Sequence, residues 1–144
     1  MAIIEFEGVD TLADMFNDLA KVPDNVLKEA VGAMAEEGKR AVRSTGAAMG
    51  VRDPESRVHI LDKITATKPK TTDDGAVSRV TFSGKRRRGN TDTRNAEIAF
   101  VNEYGRQDQQ ARPFIRQAAE QYADQIAAPG ARIIGDWFEK TAAK

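Results

Sequence analysis

Residues 97–118 read EIAFVNEYGRQDQQARPFIRQA, and this block joins an apolar element, a forced turn and a helix start. Large apolar side chains stand at Ile98, Phe100, Val101 and Tyr104, and Gly105 ends the element where a positive φ costs glycine nothing. Arg106 to Ala111 carry no large apolar side chain. Arg112-Pro113-Phe114 then opens a periodic helix, with the proline at a first-turn position whose N–H has no intrahelical partner anyway. Before the turn the pattern is ambiguous: alternation pairs Ile98 with Phe100, whereas a helix pairs Ile98 with Val101 and Phe100 with Tyr104.

Upstream, Ile3 to Glu7 alternates as a strand does, with Ile4 and Phe6 on one face. After Gly8, residues Leu12, Met15, Phe16 and Leu19 share one helical stripe that stops before Pro23. Asp24 is positioned to cap a long helix running to about Thr45, on which Leu27, Val31, Met34, Gly38, Ala41 and Thr45 recur at helical spacing. Its far end narrows to small residues, which suits close approach of another backbone. Ser56 to Ile64 reads as a short helix or the start of a strand. From Thr65 the propensities turn to β: Pro69 marks an edge strand, Asp73-Asp74-Gly75 a tight turn, and Val80 and Phe82 one face of a returning strand, which together make a hairpin. The segment 84–94 then reads as a mobile basic loop. The last helix carries Ile115, Ala119, Tyr122 and Ile126 on one stripe. Pro129-Gly130 should kink or divide it, although Ile133 and Trp137 continue in phase.

These elements predict an α+β domain spanning 1–144: a small, mostly antiparallel sheet from residues 64–104, packed against two long helices, with a short N-terminal strand and helix. The 144 residues suffice for one domain with a core. Twenty-two basic against 22 acidic residues leave no net field to draw in nucleic acid or a membrane surface, so any partner is recognised locally. With no cysteine, disulfides and thiolate metal sites are excluded, which suits a reducing cytoplasm. No signal peptide or membrane span is expected. Charge is nonetheless segregated. The first 20 residues hold Glu5, Glu7, Asp10, Asp14 and Asp18 and no base, whereas Arg79 to Arg94 holds six bases against Asp92 alone.

The two-part pattern Val101, Glu103, Tyr104, Gly105, then Ala111, Arg112, Pro113, Phe114 resembles the tail-completion family of long-tailed bacteriophages, also called the minor tail or head-tail joining family. In that family an apolar segment ends in Glu, an aromatic and Gly, and an Ala-x-Pro-Phe run begins the last helix. The resemblance implies a structural virion protein of the neck: a subunit of a homo-oligomeric, six-membered ring that completes the tail and joins it to the DNA-filled head. It further implies contacts with the connector and the tail terminator, a place in the virion with the host cytoplasm as assembly site, no cofactor and no catalysis. The chain departs from the family pattern at Pro129-Gly130 and around 45–54, where only Ser44-Thr45-Gly46 stands for a longer Pro-x-x-Thr-Gly run.

Candidate chemistry outside that motif is sparse. His59 is the only histidine, so a histidine metal cluster is excluded, and no second carboxylate is fixed opposite Glu97 or Glu103 for acid–base work. Glu103 and Arg112 suggest a structural ion pair across the loop. Lys85, Arg86, Arg87 and Arg88 form the densest charge cluster, a candidate contact with passing DNA phosphates or with the acidic N-terminus of a neighbouring subunit. The alternative function is therefore a small DNA-binding module acting through this segment, by charge alone, since no aromatic side chain stands there to stack on bases.

Overall fold

The structure, a computed structural model, describes residues 22–53, 58–73, 75–88 and 90–142. The strand expected at Ile3–Glu7 and the helix expected through Leu12–Leu19 lie outside these. The architecture is α+β, as the sequence predicts: four helices and three two-stranded antiparallel pairs among the described residues.

Helix α1 (Asp24–Ala48) is the central element. Pro23, not Asp24, is its N-cap; the Pro23 carbonyl accepts the N–H groups of Val26 and Leu27 at 3.0 and 3.1 Å, and Asp24 sits inside the first turn, where its charge complements the helix dipole. The buried face is built of small residues, Ala30, Ala35, Gly38, Ala41, Thr45 and Gly46. That composition lets neighbours approach the backbone. A Cβ added at Gly46 would stand 2.7 Å from Leu61 Cδ2 and 3.0 Å from Phe114 Cδ2, so two core side chains occupy the space its absence leaves.

A hairpin lies on one side of α1. Its root pairs β1 (Ile64–Ala66) with β4 (Val80–Phe82), and its tip pairs β2 (Lys70–Thr72) with β3 (Gly75–Val77). The register slips between the two halves. Ala66 faces Val80 and Lys70 faces Val77, so four steps on one strand oppose three on the other, the signature of a bulge. Pro69 stands in that bulge, where no ladder N–H is required. Thr67 stitches it: its N–H donates to the Arg79 carbonyl at 2.7 Å, its hydroxyl accepts the Arg79 N–H at 2.8 Å, and its carbonyl accepts the Ser78 hydroxyl at 2.6 Å. The strand is preceded by a 3-10 turn, Ile60–Lys63.

The structure departs from the sequence pattern in three stretches. First, 84–94 is not a loop: β5 (Lys85–Arg88) and β6 (Thr91–Arg94) pair antiparallel, with Lys85 opposite Arg94 and Arg88 opposite Thr91. The β propensity of alternate threonines, Thr91 and Thr93, outweighs the absence of apolar side chains. Second, the strands do not form one sheet through residue 104, because Asn95–Tyr104 is helix α2. Its buried residues include Asn95, Ile98, Ala99 and Asn102, the i, i+3, i+4, i+7 stripe of a helix. Third, the C-terminal helix divides at Tyr122, not at Pro129, into α3 (Phe114–Gln121) and α4 (Ala123–Ala142). The bend lets α3 bury Phe114 and Ala118 while α4 runs along α1, on which it chiefly packs. Ile115 and Ala119, placed by periodicity on the buried stripe, are exposed instead. Pro129 stays inside α4, and its neighbour Gly130 is buried against Met34, whose side chain an added Cβ would strike.

The core gathers Val42 of α1, Val51, Ile60, Leu61 and Ile64, Ile98 and Ala99 of α2, and Phe114 and Ala118 of α3. Phe114 and Ile60 are fully buried, and Phe82 meets Phe114 edge to face at 5.9 Å.

Candidate functional site

The corner between α2 and α3 is where the motif residues meet. Gly105 closes α2 with φ 75°, and its N–H returns to the Val101 carbonyl at 2.8 Å. A Cβ here would lie 2.8 Å from the Ala111 nitrogen and 2.9 Å from the Gln109 oxygen. Only glycine fits both the dihedral and the space. Arg106 and Gln109 then exchange backbone hydrogen bonds at 2.9 and 3.1 Å, turning the chain back. Pro113 is the N-cap of α3 and offers no side-chain hydrogen bond.

Glu103 supplies the missing cap. Its two carboxylate oxygens accept the N–H groups of Ile115 at 2.8 Å and Arg116 at 3.0 Å, and the residue is buried. A charged acceptor at a helix N-terminus satisfies orphan donors and the positive end of the dipole at once. The ion pair expected between Glu103 and Arg112 is therefore replaced: both oxygens serve the backbone, and Arg112 Nη1 is buried with no hydrogen-bond partner among the described residues. Arg112 contributes its backbone N–H, which donates to the Asn102 carbonyl.

Asn102, which the sequence reading passed over, is the corner's other fastening. It is 1% exposed. Its amide oxygen accepts the Arg52 N–H and its amide nitrogen donates to the Arg52 carbonyl, both at 2.7 Å, with a further bond to the Ile98 carbonyl at 2.9 Å. One side chain thereby holds the segment after α1 as a strand neighbour would. The available signal was a polar residue four positions after Ile98 inside an apolar run.

The remaining motif residues face outward. Tyr104 is 68% exposed and packs against Phe100, itself 60% exposed, with ring centroids 4.7 Å apart and the rings tilted by 44°. Val101 is half-buried and Ala111 exposed. Phe100, Tyr104 and the exposed Ile115 border a groove of about 690 Å³ whose floor includes Val80, Phe82 and Ala99. The sequence placed Phe100 and Tyr104 among the residues of an apolar element without showing that they turn away from the core.

The basic cluster is not a uniform patch. Arg86 is an anchor: its guanidinium pairs with Asp53 at 2.6 Å, with the Arg86 and Asp53 side chains 10% and 0% exposed, and also donates to Asn95 Oδ1 at 2.9 Å and the Val58 carbonyl at 3.2 Å. Asp53 also accepts the Ile60 N–H at 2.6 Å. Lys85 and Arg87 are exposed, and the Arg88 backbone continues the ladder. His59 has a local role: Nδ1 accepts the Leu61 N–H at 3.2 Å, leaving the Nε2 proton toward the Val51 carbonyl at 3.3 Å.

A second cavity, about 640 Å³, lies between Arg52, His59, Glu97 and Arg106. Its innermost polar groups, Asp53 and Asn102, are already committed to Arg86 and to Arg52. Among the described residues no three histidine, cysteine or acidic side chains converge as metal ligands, and no helix is long and apolar enough to cross a membrane. Comparison with known proteins yields no match to a family profile, to a curated protein or to a solved structure.

Proposed function

We propose that this chain is a structural protein of a bacteriophage neck, one subunit of an oligomeric ring that completes the tail and joins it to the head. The observation that carries the reading is the α2–α3 corner. Four residues of the Glu-aromatic-Gly and Ala-x-Pro-Phe pattern have a mechanical use there: Glu103 caps α3, Gly105 makes the turn, Pro113 is the N-cap residue from which α3 starts and Phe114 fills the core.

Such a corner is a rigid bracket, and it presents the Phe100–Tyr104 pair and Ile115 to the outside. Exposed aromatic side chains on a braced scaffold favour assembly over chemistry. In a closed ring each contact is heterologous, so this face would meet a different face of the neighbouring subunit.

Electron microscopy of the purified full chain tests the proposal. Closed rings, six-membered if the resemblance holds to that detail, are the expected result. Particles that remain single subunits at every concentration would refute it.

A further inference from the structure

We propose that the outer face of the β5–β6 ribbon is a contact surface for the phosphate backbone of duplex nucleic acid, and that Arg86 takes no part in it. Residues alternate sides along a strand, and directly opposed residues of an antiparallel pair share a side. Arg86 points inward to Asp53, and Thr93, opposite it, lines the inner cavity. Lys85 with Arg94, and Arg87 with Asp92, therefore form two successive rungs on the other side, and all four are exposed.

The chemistry of this face selects the ligand. Between Lys85 and Arg94 there is no apolar or aromatic side chain, so the ribbon lacks the buried anchors on which protein interfaces depend and the platforms on which unpaired bases stack. It offers cations and the amide of Asn90, which are phosphate-contacting groups, on a two-stranded ribbon of the kind that a major groove admits. Same-side residues two apart lie about 6.7 Å from each other. The inward ion pair holds the ribbon to the body, so its cations meet a ligand with little ordering cost. Asp92, the interaction that Arg87 already makes within the chain, and the pairing of Arg94 with Glu97 at 3.2 Å limit the site to two or three phosphates, and contact is independent of sequence.

The test is fluorescence anisotropy of a labelled random-sequence duplex titrated with the full chain at several salt concentrations. Expected are weak binding at low salt, a log–log salt slope of about −2 to −3, and at least a tenfold loss in the Lys85→Glu/Arg87→Glu variant. Arg132→Glu, a charge reversal on the exposed face of α4, should leave affinity within about twofold, and circular dichroism verifies that each variant is folded. Absence of binding at the lowest salt overturns the proposal. So does equal loss in both variants, much tighter binding of single strands, or salt-sensitive self-association with no DNA affinity. Ring formation is measured separately, by electron microscopy of the full chain.

Discussion

The Glu103 carboxylate accepts the backbone N–H of Ile115 at 2.8 Å across twelve residues and a complete reversal of the chain. With the second bond to Arg116 it makes one side chain of α2 the N-terminal cap of α3. The capping residue is usually local; here it is tertiary, so the angle between two helices and the integrity of one of them depend on the same group.

Glu103→Ala should therefore cost more than an ordinary cap. Losing a capping acceptor costs about 1 kcal/mol, and leaving buried donors unpaired adds about 1–3 kcal/mol. Glu103→Gln, which keeps one acceptor oxygen, should lose less. Urea unfolding followed by far-ultraviolet circular dichroism measures both, and equal, small losses would show that the cap carries no energy.

Gly105 and Gly50 make a controlled pair. Both have positive φ, 75° and 67°, but an added Cβ meets backbone atoms at Gly105 and nothing within 4 Å at Gly50. Gly50→Ala should cost about 1–2 kcal/mol, the dihedral penalty alone. Gly105→Ala should cost clearly more, because Ala111 and Gln109 must also move. Chemical denaturation of the two variants side by side is the measurement.

The Asp53–Arg86 pair should dominate the energetics of the basic segment. Removing one partner of a buried pair costs about 3–5 kcal/mol, so Arg86→Ala should be severely destabilised. Lys85→Ala, a change at an exposed side chain, should stay within about 0.5 kcal/mol of the parent. In a double-mutant cycle Asp53→Ala and Arg86→Ala should be strongly non-additive. Additive losses would mean that the pair is incidental.

The overall class of the fold was legible because it rests on signals with local causes: the 3.6-residue stripe of α1, Pro69 in the first hairpin, and the glycine stop before Arg106. What the sequence did not disclose was set by partners far along the chain. Helix α2 stayed ambiguous with a strand because half of its buried stripe is asparagine: Asn95 and Asn102 are buried for their hydrogen bonds to Ser83, Ile98 and Arg52, and a hydrophobicity pattern cannot register that. Arg86 looked like its neighbours until Asp53, 33 residues away, was placed beside it. The bend at Tyr122 has no breaker residue. It follows from α3 and α4 packing on different partners, while Pro129, the obvious breaker, is carried within a helix held against α1.

Phe100 and Tyr104 separate stability from assembly. Both are more than half exposed, so Phe100→Ser and Tyr104→Ser should change unfolding free energy by only about 0.5 kcal/mol. Their ring contact lies on the face proposed to meet a neighbouring subunit, and self-association should weaken at least tenfold in each.

Sedimentation velocity of the full chain over a wide concentration range, run beside Phe100→Ser, decides whether the protein assembles through this face. Expected are a concentration-dependent shift of the parent to one closed species of defined mass, and a variant that remains largely monomeric under the same conditions. A parent that sediments as a single subunit throughout would contradict the assignment of this protein as a ring component.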